Sequence, residues 1–92
     1  MAKYLMLGKY SVDAVRGIQA ERTKKVTELI EKDGGKVIAM YALIGRYDLA
    51  FIVDMPSNGA LMKVSIAVTK LTGIGFSSMP AMAVEEFDNL AG

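Results

Sequence analysis

Cysteine, histidine and tryptophan are all absent from this chain. The missing cysteine excludes disulfides, thiolate nucleophiles and thiolate metal sites. The missing histidine removes the imidazole base and any His-ligated zinc or haem. No cofactor or metal is therefore expected. Charge of either sign is also in short supply: 11 basic residues face 10 acidic ones, for a net +1. Lys3, Lys9, Arg16, Arg22, Lys24 and Lys25 make the first third mildly basic, and Glu21, Glu28 and Glu31 offset them. Such a balance builds no face suited to nucleic acid. Long hydrophobic runs are missing too. The longest, from Val37 to Gly45, is nine residues, against about 20 for a membrane helix. The apolar run before Gly8 and Lys9 is too short for a signal peptide. A cytoplasmic location is the expectation that remains.

What the chain has in surplus is apolar content. Hydrophobic residues make up 52% of its 92 residues, above the roughly 45–50% usual in globular proteins. A single small domain, here residues 1–92, has a high surface-to-volume ratio and should need less. The surplus points to an interface.

Residues 3–10 read as a strand. Ser11 is a natural N-cap, and Asp13 puts negative charge in the first turn of a helix expected over 12–33. Val15, Ile18, Val26, Leu29 and Ile30 supply its apolar stripe, and Gly34-Gly35 stops it. Residues 36–44 and 48–55 read as two strands of a hairpin joined at Gly45-Arg46-Tyr47. Pro56-Ser57-Asn58-Gly59 introduces a second helix over 58–72, with Ala60, Leu61, Val64, Val68 and Leu71 facing inward. A fourth strand over 74–83 is confined by Pro80 to a sheet edge or a bulge. Glu85–Ala91 reads as a short helix or a frayed acidic tail.

This is an α+β chain of ferredoxin-like βαββαβ type: an antiparallel four-stranded sheet with two helices on one face. A face left open to water should alternate apolar with polar, and these strands do not. The first sets Tyr4 and Met6 against Leu5 and Leu7. The second sets Ile38, Met40 and Ile44 against Val37, Ala39, Tyr41 and Leu43. The third sets Leu49, Phe51, Val53 and Met55 against Ala50 and Ile52. Both faces should be dry, and the simplest cover for the helix-free face is a second copy in a twofold homodimer. Met62 and Ile66, one turn apart and opposite the inner stripe of the second helix, suggest either scattered surface residues or a contact for a higher oligomer.

The most specific stretch runs from Tyr41 through Gly45-Arg46-Tyr47-Asp48 to Val53. A glycine-aromatic turn feeding Asp48 into a buried strand resembles the motif that names the GYD-domain family. The opening Lys3-Tyr4 strand, Gly34-Gly35 and Pro56 resemble that family's pattern as well, so the resemblance covers nearly the whole chain. It implies the dimeric α+β barrel fold, in a family whose function is poorly defined. The same Gly-x-Tyr-Asp hairpin is similar to the effector-sensing domain of leucine-responsive regulators, where small amino-acid ligands bind near this turn at subunit contacts. With no helix-turn-helix segment ahead of the first strand, the resemblance implies that sensing module alone.

The turn also has a plain structural account. Gly45 can take φ > 0 to close the hairpin, Asp48 can accept backbone N–H bonds, and Tyr47 can pack over a strand edge. On the functional account, Arg46 and the amides around Gly45 hold an anion. Arg22 interrupts the first helix's apolar stripe. Either Gly17 breaks the helix and turns Arg22 to water, or its stem snorkels past the sheet edge, or it reaches a cavity between helix and sheet and binds an acidic ligand. Tyr4, Tyr10 and Tyr41 are expected on inner strands as core aromatics, with Tyr10 also able to line a pocket mouth beside Arg46 or Arg22. Asp48 and Asp54 share a strand face but lie about 20 Å apart at about 3.3 Å per residue, which suits no paired-carboxylate chemistry.

Three functions fit. The first is an oligomeric module that binds or senses a small acidic or amino-acid-like ligand through Tyr10, Arg22, Tyr41, Gly45, Arg46, Tyr47 and Asp48. The second is a cofactor-independent enzyme, monooxygenase- or isomerase-like, using a pocket between sheet and helices. The third is a purely structural assembly subunit. The residues alone do not decide whether the chain is an enzyme.

Overall fold

Alternation sets the first strand. Tyr4, Met6 and Gly8 are buried, while Leu5 and Leu7 on the opposite side are only half-buried, which is the period of two of a pleated strand. In the computed structural model, which describes residues Met1–Gly92, this strand is β1 (Ala2–Tyr10). It is followed by α1 (Val12–Arg16), α2 (Ala20–Lys32), β2 (Lys36–Ala42), β3 (Leu49–Met55), α3 (Asn58–Thr72), β4 (Ile74–Ala81) and α4 (Val84–Ala91). The strands form one antiparallel sheet in the order β2-β3-β1-β4, the ferredoxin-like arrangement that the element order implies. β4 lies at an edge, where Pro80 removes no needed ladder donor from a central strand.

The helices cover one face of this sheet. Val26 and Ile30 from α2 and Leu61, Val64 and Val68 from α3 pack with Tyr4, Met6, Phe51, Val53 and Met55 in one cluster. Local chemistry fixes the ends of these elements. Ser11 Oγ accepts the Ala14 N–H at 3.0 Å, and Ser57 Oγ accepts the Ala60 N–H at 3.1 Å, each satisfying a helix donor that has no intrahelical partner. The Tyr4 hydroxyl, at the bottom of the core, donates to Asn58 Oδ1 in the first turn of α3.

Three features depart from the sequence reading. The helix expected over 12–33 is two helices, because the chain breaks at Gly17. A Cβ added to Gly17 would lie 2.7 Å from Arg22 Nη1, so the break and the position of Arg22 are one arrangement. The break turns Val15 and Ile18 out of the stripe and leaves them exposed. In β2 the pairing shifts between Val37 and Ala39. Ile38 is the extra residue of a β-bulge, and it changes the phase of the strand: Val37 joins Met40 on the helix side, not the opposite side as simple alternation gives. In α3, Leu71 is exposed and Thr72 is buried in its place. The Thr72 hydroxyl donates to the Val68 carbonyl at 2.7 Å and accepts the Ile74 N–H at 3.0 Å, so the helix end and the start of β4 are joined through a satisfied polar group. Of the two readings of the terminal segment, the structure has the helix: α4, none of whose residues is buried.

The face away from the helices carries Leu5 and Leu7 of β1, Ala50 and Ile52 of β3, Ala39 and Tyr41 of β2, and Met79 of β4, by the strand registers. None of these is buried. Its one end is charged, with Lys3 Nζ 3.5 Å from Asp54 Oδ1 and Lys36 opposite Asp54 in the ladder.

Candidate functional site

The hairpin turn between β2 and β3 is built around one conformation. Gly45 has φ 135, a left-handed value that side-chain-bearing residues avoid. Nothing lies within 4 Å of where its Cβ would be, so the backbone angle alone calls for glycine. The turn closes with the Leu43 N–H donating to the Asp48 carbonyl at 2.8 Å, and is stitched to the neighbouring strand by the Asp48 N–H donating to the Gly8 carbonyl at 2.8 Å. The β1–β3 ladder then ends at Gly8 and Leu49. Tyr10, two residues further along β1, still points its N–H toward where β3 would continue. Asp48 Oδ2 accepts that N–H at 2.8 Å. The carboxylate thus stands in for a strand carbonyl, and Asp48 serves the frame of the site. Lys9 Nζ donates to the Arg46 carbonyl at 3.0 Å, and the Arg46 guanidinium sits 5.8 Å from the centre of the Tyr47 ring.

Tyr10, so fixed, meets Arg22. The guanidinium carbon lies 5.8 Å from the Tyr10 ring centre, within reach of a cation–π contact, and Arg22 Nη1 donates to the Ala14 carbonyl at 2.6 Å. That carbonyl is in the last turn of α1, where a cation complements the helix end. Arg22 is half-buried and has further N–H donors to offer a ligand, since a guanidinium carries five in a planar fork.

Two hollows share this arginine. One is a cavity of about 80 Å³ between α2 and the sheet, with Tyr10 and Arg22 at its polar side and Val26, Met40, Phe51 and Ile74 among its apolar walls. The other is an open cleft of about 480 Å³ at the α1–α2 break, lined by Arg22, Lys25, Lys70, Gln19 and Asp13. The cleft is predominantly cationic, and α2 enters it through Gln19, whose side chain caps nothing. The arrangement can pair an anionic group with Arg22, Lys25 and Lys70 and shelter a short apolar group beneath α2. No cluster of acidic side chains has the geometry to hold a cation.

The residues singled out from the sequence therefore separate into three places. Tyr10, Arg22 and Asp48 come together, Asp48 through the Tyr10 amide. Gly45, Arg46 and Tyr47 form the turn beyond them, so the neighbour of Tyr10 is Arg22 and not Arg46. Tyr41 lies elsewhere: it sits on an edge strand rather than an inner one, is exposed, and pairs with Ala50 on the helix-free face. Gln19, Lys25 and Lys70 were missed. Lys25 follows Arg22 at helical i,i+3 spacing and was visible in principle; Lys70 reaches the cleft only because α2 and α3 pack side by side.

With this geometry in hand, comparison with known proteins is decisive on family. The family model for the GYD domain matches residues 4–91. The chain belongs to the GYD-domain family. Its fold is shared by solved structures of low sequence identity. One is the crystal structure of the Mycobacterium tuberculosis leucine response regulatory protein LrpA, with a TM-score of 0.63 at 16% identity, covering 89% of this chain and 51% of that one. Another, a glutamate-to-alanine mutant, has a TM-score of 0.62 at 16% identity and covers 89% and 50%. The GYD-domain chain thus spans about half the length of the solved proteins it matches. No curated protein matches it. No helix is long and apolar enough to cross a membrane.

Proposed function

We propose that this chain is a single-domain, self-associating module that binds or senses a small acidic or amino-acid-like molecule. The observation that carries the reading is Arg22, which stands between a cationic cleft and a small apolar cavity. A carboxylate would pair with Arg22 and Lys25 in the cleft, and a short aliphatic group would enter beneath α2. At about 80 Å³, that cavity is well below the roughly 300–1,000 Å³ of a drug-sized site, so the apolar part must be small. The structural neighbour described as a leucine response regulatory protein supports the same ligand class.

Self-association uses the helix-free face. Leu5, Leu7, Ala50 and Ile52 form its apolar middle, and an identical face is the simplest surface to meet it. The sheet-to-sheet dimer of an α+β barrel follows. Placing a charge at its centre tests this half of the reading: Ile52→Lys should lower the mass seen by light scattering relative to the parent chain, with circular dichroism unchanged. A parent chain that is monomeric at micromolar concentration overturns it.

Titration calorimetry with a panel of aliphatic amino acids and short carboxylic acids tests the ligand half. Binding should appear in the parent, persist weakly in Arg22→Lys and vanish in Arg22→Gln. Affinity unchanged in Arg22→Gln removes Arg22 from the site.

A further inference from the structure

Helix α4 is the least explained element of the fold. It is eight residues long and none of them is buried. A helix shorter than about 12–15 residues is marginal in water unless it packs against something, so α4 needs a partner surface. Its sequence describes that surface. At about 100° per residue, Val84, Phe87, Leu90 and Ala91 fall within an arc of about 120°, and Asp88 and Glu86 stand about 40° outside its two edges. Glu85 adds a third carboxylate on the outer side. The helix is an apolar stripe bordered on both sides by negative charge.

The complementary surface lies on the outside of the helix layer. A groove of about 620 Å³ runs between α2 and α3. Its apolar floor is Leu29, Ala67 and Leu71, and Lys25 and Lys32 of α2 and Lys70 of α3 line its sides, with Glu28 the single acid. Leu71 is the residue that Thr72 displaced from the core and that the fold leaves exposed. An apolar floor bordered by lysines on two helices is the mirror of an apolar stripe bordered by carboxylates.

The α4 of a chain does not occupy that chain's own groove: none of its residues is buried. Only Met82 and Ala83 separate β4 from α4, so the three Cα–Cα steps from Ala81 to Val84 span at most about 11 Å, and the outer face of the helix layer lies a full helix width, about 10 Å, beyond the surface that packs on the sheet. We propose that α4 docks in the α2–α3 groove of a second copy, with Val84, Phe87 and Leu90 on Leu29, Ala67 and Leu71 and with Glu86 and Asp88 beside the lysines. The contact is heterologous, between unlike surfaces, so it can extend assembly beyond a twofold pair. It is independent of the sheet-to-sheet contact proposed above, and no residue is shared between the two.

The absence of native cysteine makes the test clean. Ala91→Cys and Ala67→Cys chains are prepared separately, mixed and oxidised. A disulfide-linked pair containing one of each variant is expected, while Ala91→Cys mixed with Ile52→Cys gives none. Reversing Lys32 and Lys70 to Glu should slow cross-linking about tenfold, and adding Glu86→Lys and Asp88→Lys should restore it. No link between positions 91 and 67 in folded protein overturns the proposal. So does a link from 91 to 52, which would place α4 on the sheet face, or a link confined to one chain when both cysteines are present in it. Failure here leaves the Ile52→Lys result unaffected, so the two contacts are judged separately.

Discussion

The two faces of this sheet are made by the same strands from similarly apolar residues, yet they have different fates. On one face Met6, Val53 and Met55 are wholly buried beneath α2 and α3. On the other, Leu5, Leu7 and Ile52 are only half-buried, with no helix over them. Hydrophobicity alone does not separate the two sets; what separates them is which face the crossover helices occupy. Apolar residues on the first face hold the chain together, and those on the second are available for another molecule.

The largest expected effect breaks the first face. Met6→Ala deletes a fully buried side chain and should cost about 2–5 kcal/mol of unfolding free energy in urea titration. Leu5→Ala, one residue away and half-buried, should cost only about 1 kcal/mol at a concentration where the chain is monomeric; equal losses would erase the distinction. A middle-sized effect concerns the end of the sheet, where Asp48 accepts the Tyr10 N–H. Asp48→Ala leaves that amide unmet and should cost about 1–3 kcal/mol, with faster hydrogen exchange at Tyr10 as the specific readout. The smallest sharpens the second face. Tyr41→Ser should change folding by about 0.5 kcal/mol or less, because the ring is exposed, yet should measurably raise the dissociation constant for self-association in analytical ultracentrifugation.

Much of this fold could be read from the sequence because its punctuation is local. Ser57 marks the start of α3 on its own, and the alternation in β1 and β3 groups Tyr4 with Met6 and Phe51 with Val53 on one side of each strand, although not which side the helices cover. The errors came where a local pattern answers to something distant. Gly17 ends α1 in concert with Arg22, whose guanidinium occupies the space a side chain would need. Thr72 takes a core position from Leu71 because its hydroxyl serves both Val68 and Ile74. The candidate site was half legible. Arg22 stood out as a charge in an apolar stripe and Tyr10 could stand beside it or beside Arg46; the choice between the two arginines, and the arrival of Lys70 from another helix, depend on packing that no spacing encodes. The Gly45–Asp48 turn was legible as a motif; that the Asp48 carboxylate braces β1, while only its carbonyl closes the turn, was not.

The bulge at Ile38 has a consequence for the length of the chain. Strand side chains count in twos, so losing one residue ordinarily inverts every face beyond the deletion. β2 carries one residue more than its partner's ladder uses, with Val37 opposite Val53 and Ala39 opposite Ile52. Excising Ile38 therefore leaves Lys36, Val37, Ala39, Met40 and Tyr41 on the sides they already occupy. At this one place the strand can be shortened without inverting the sides its other residues occupy, where the same deletion in β1 or β3 turns over every face beyond it.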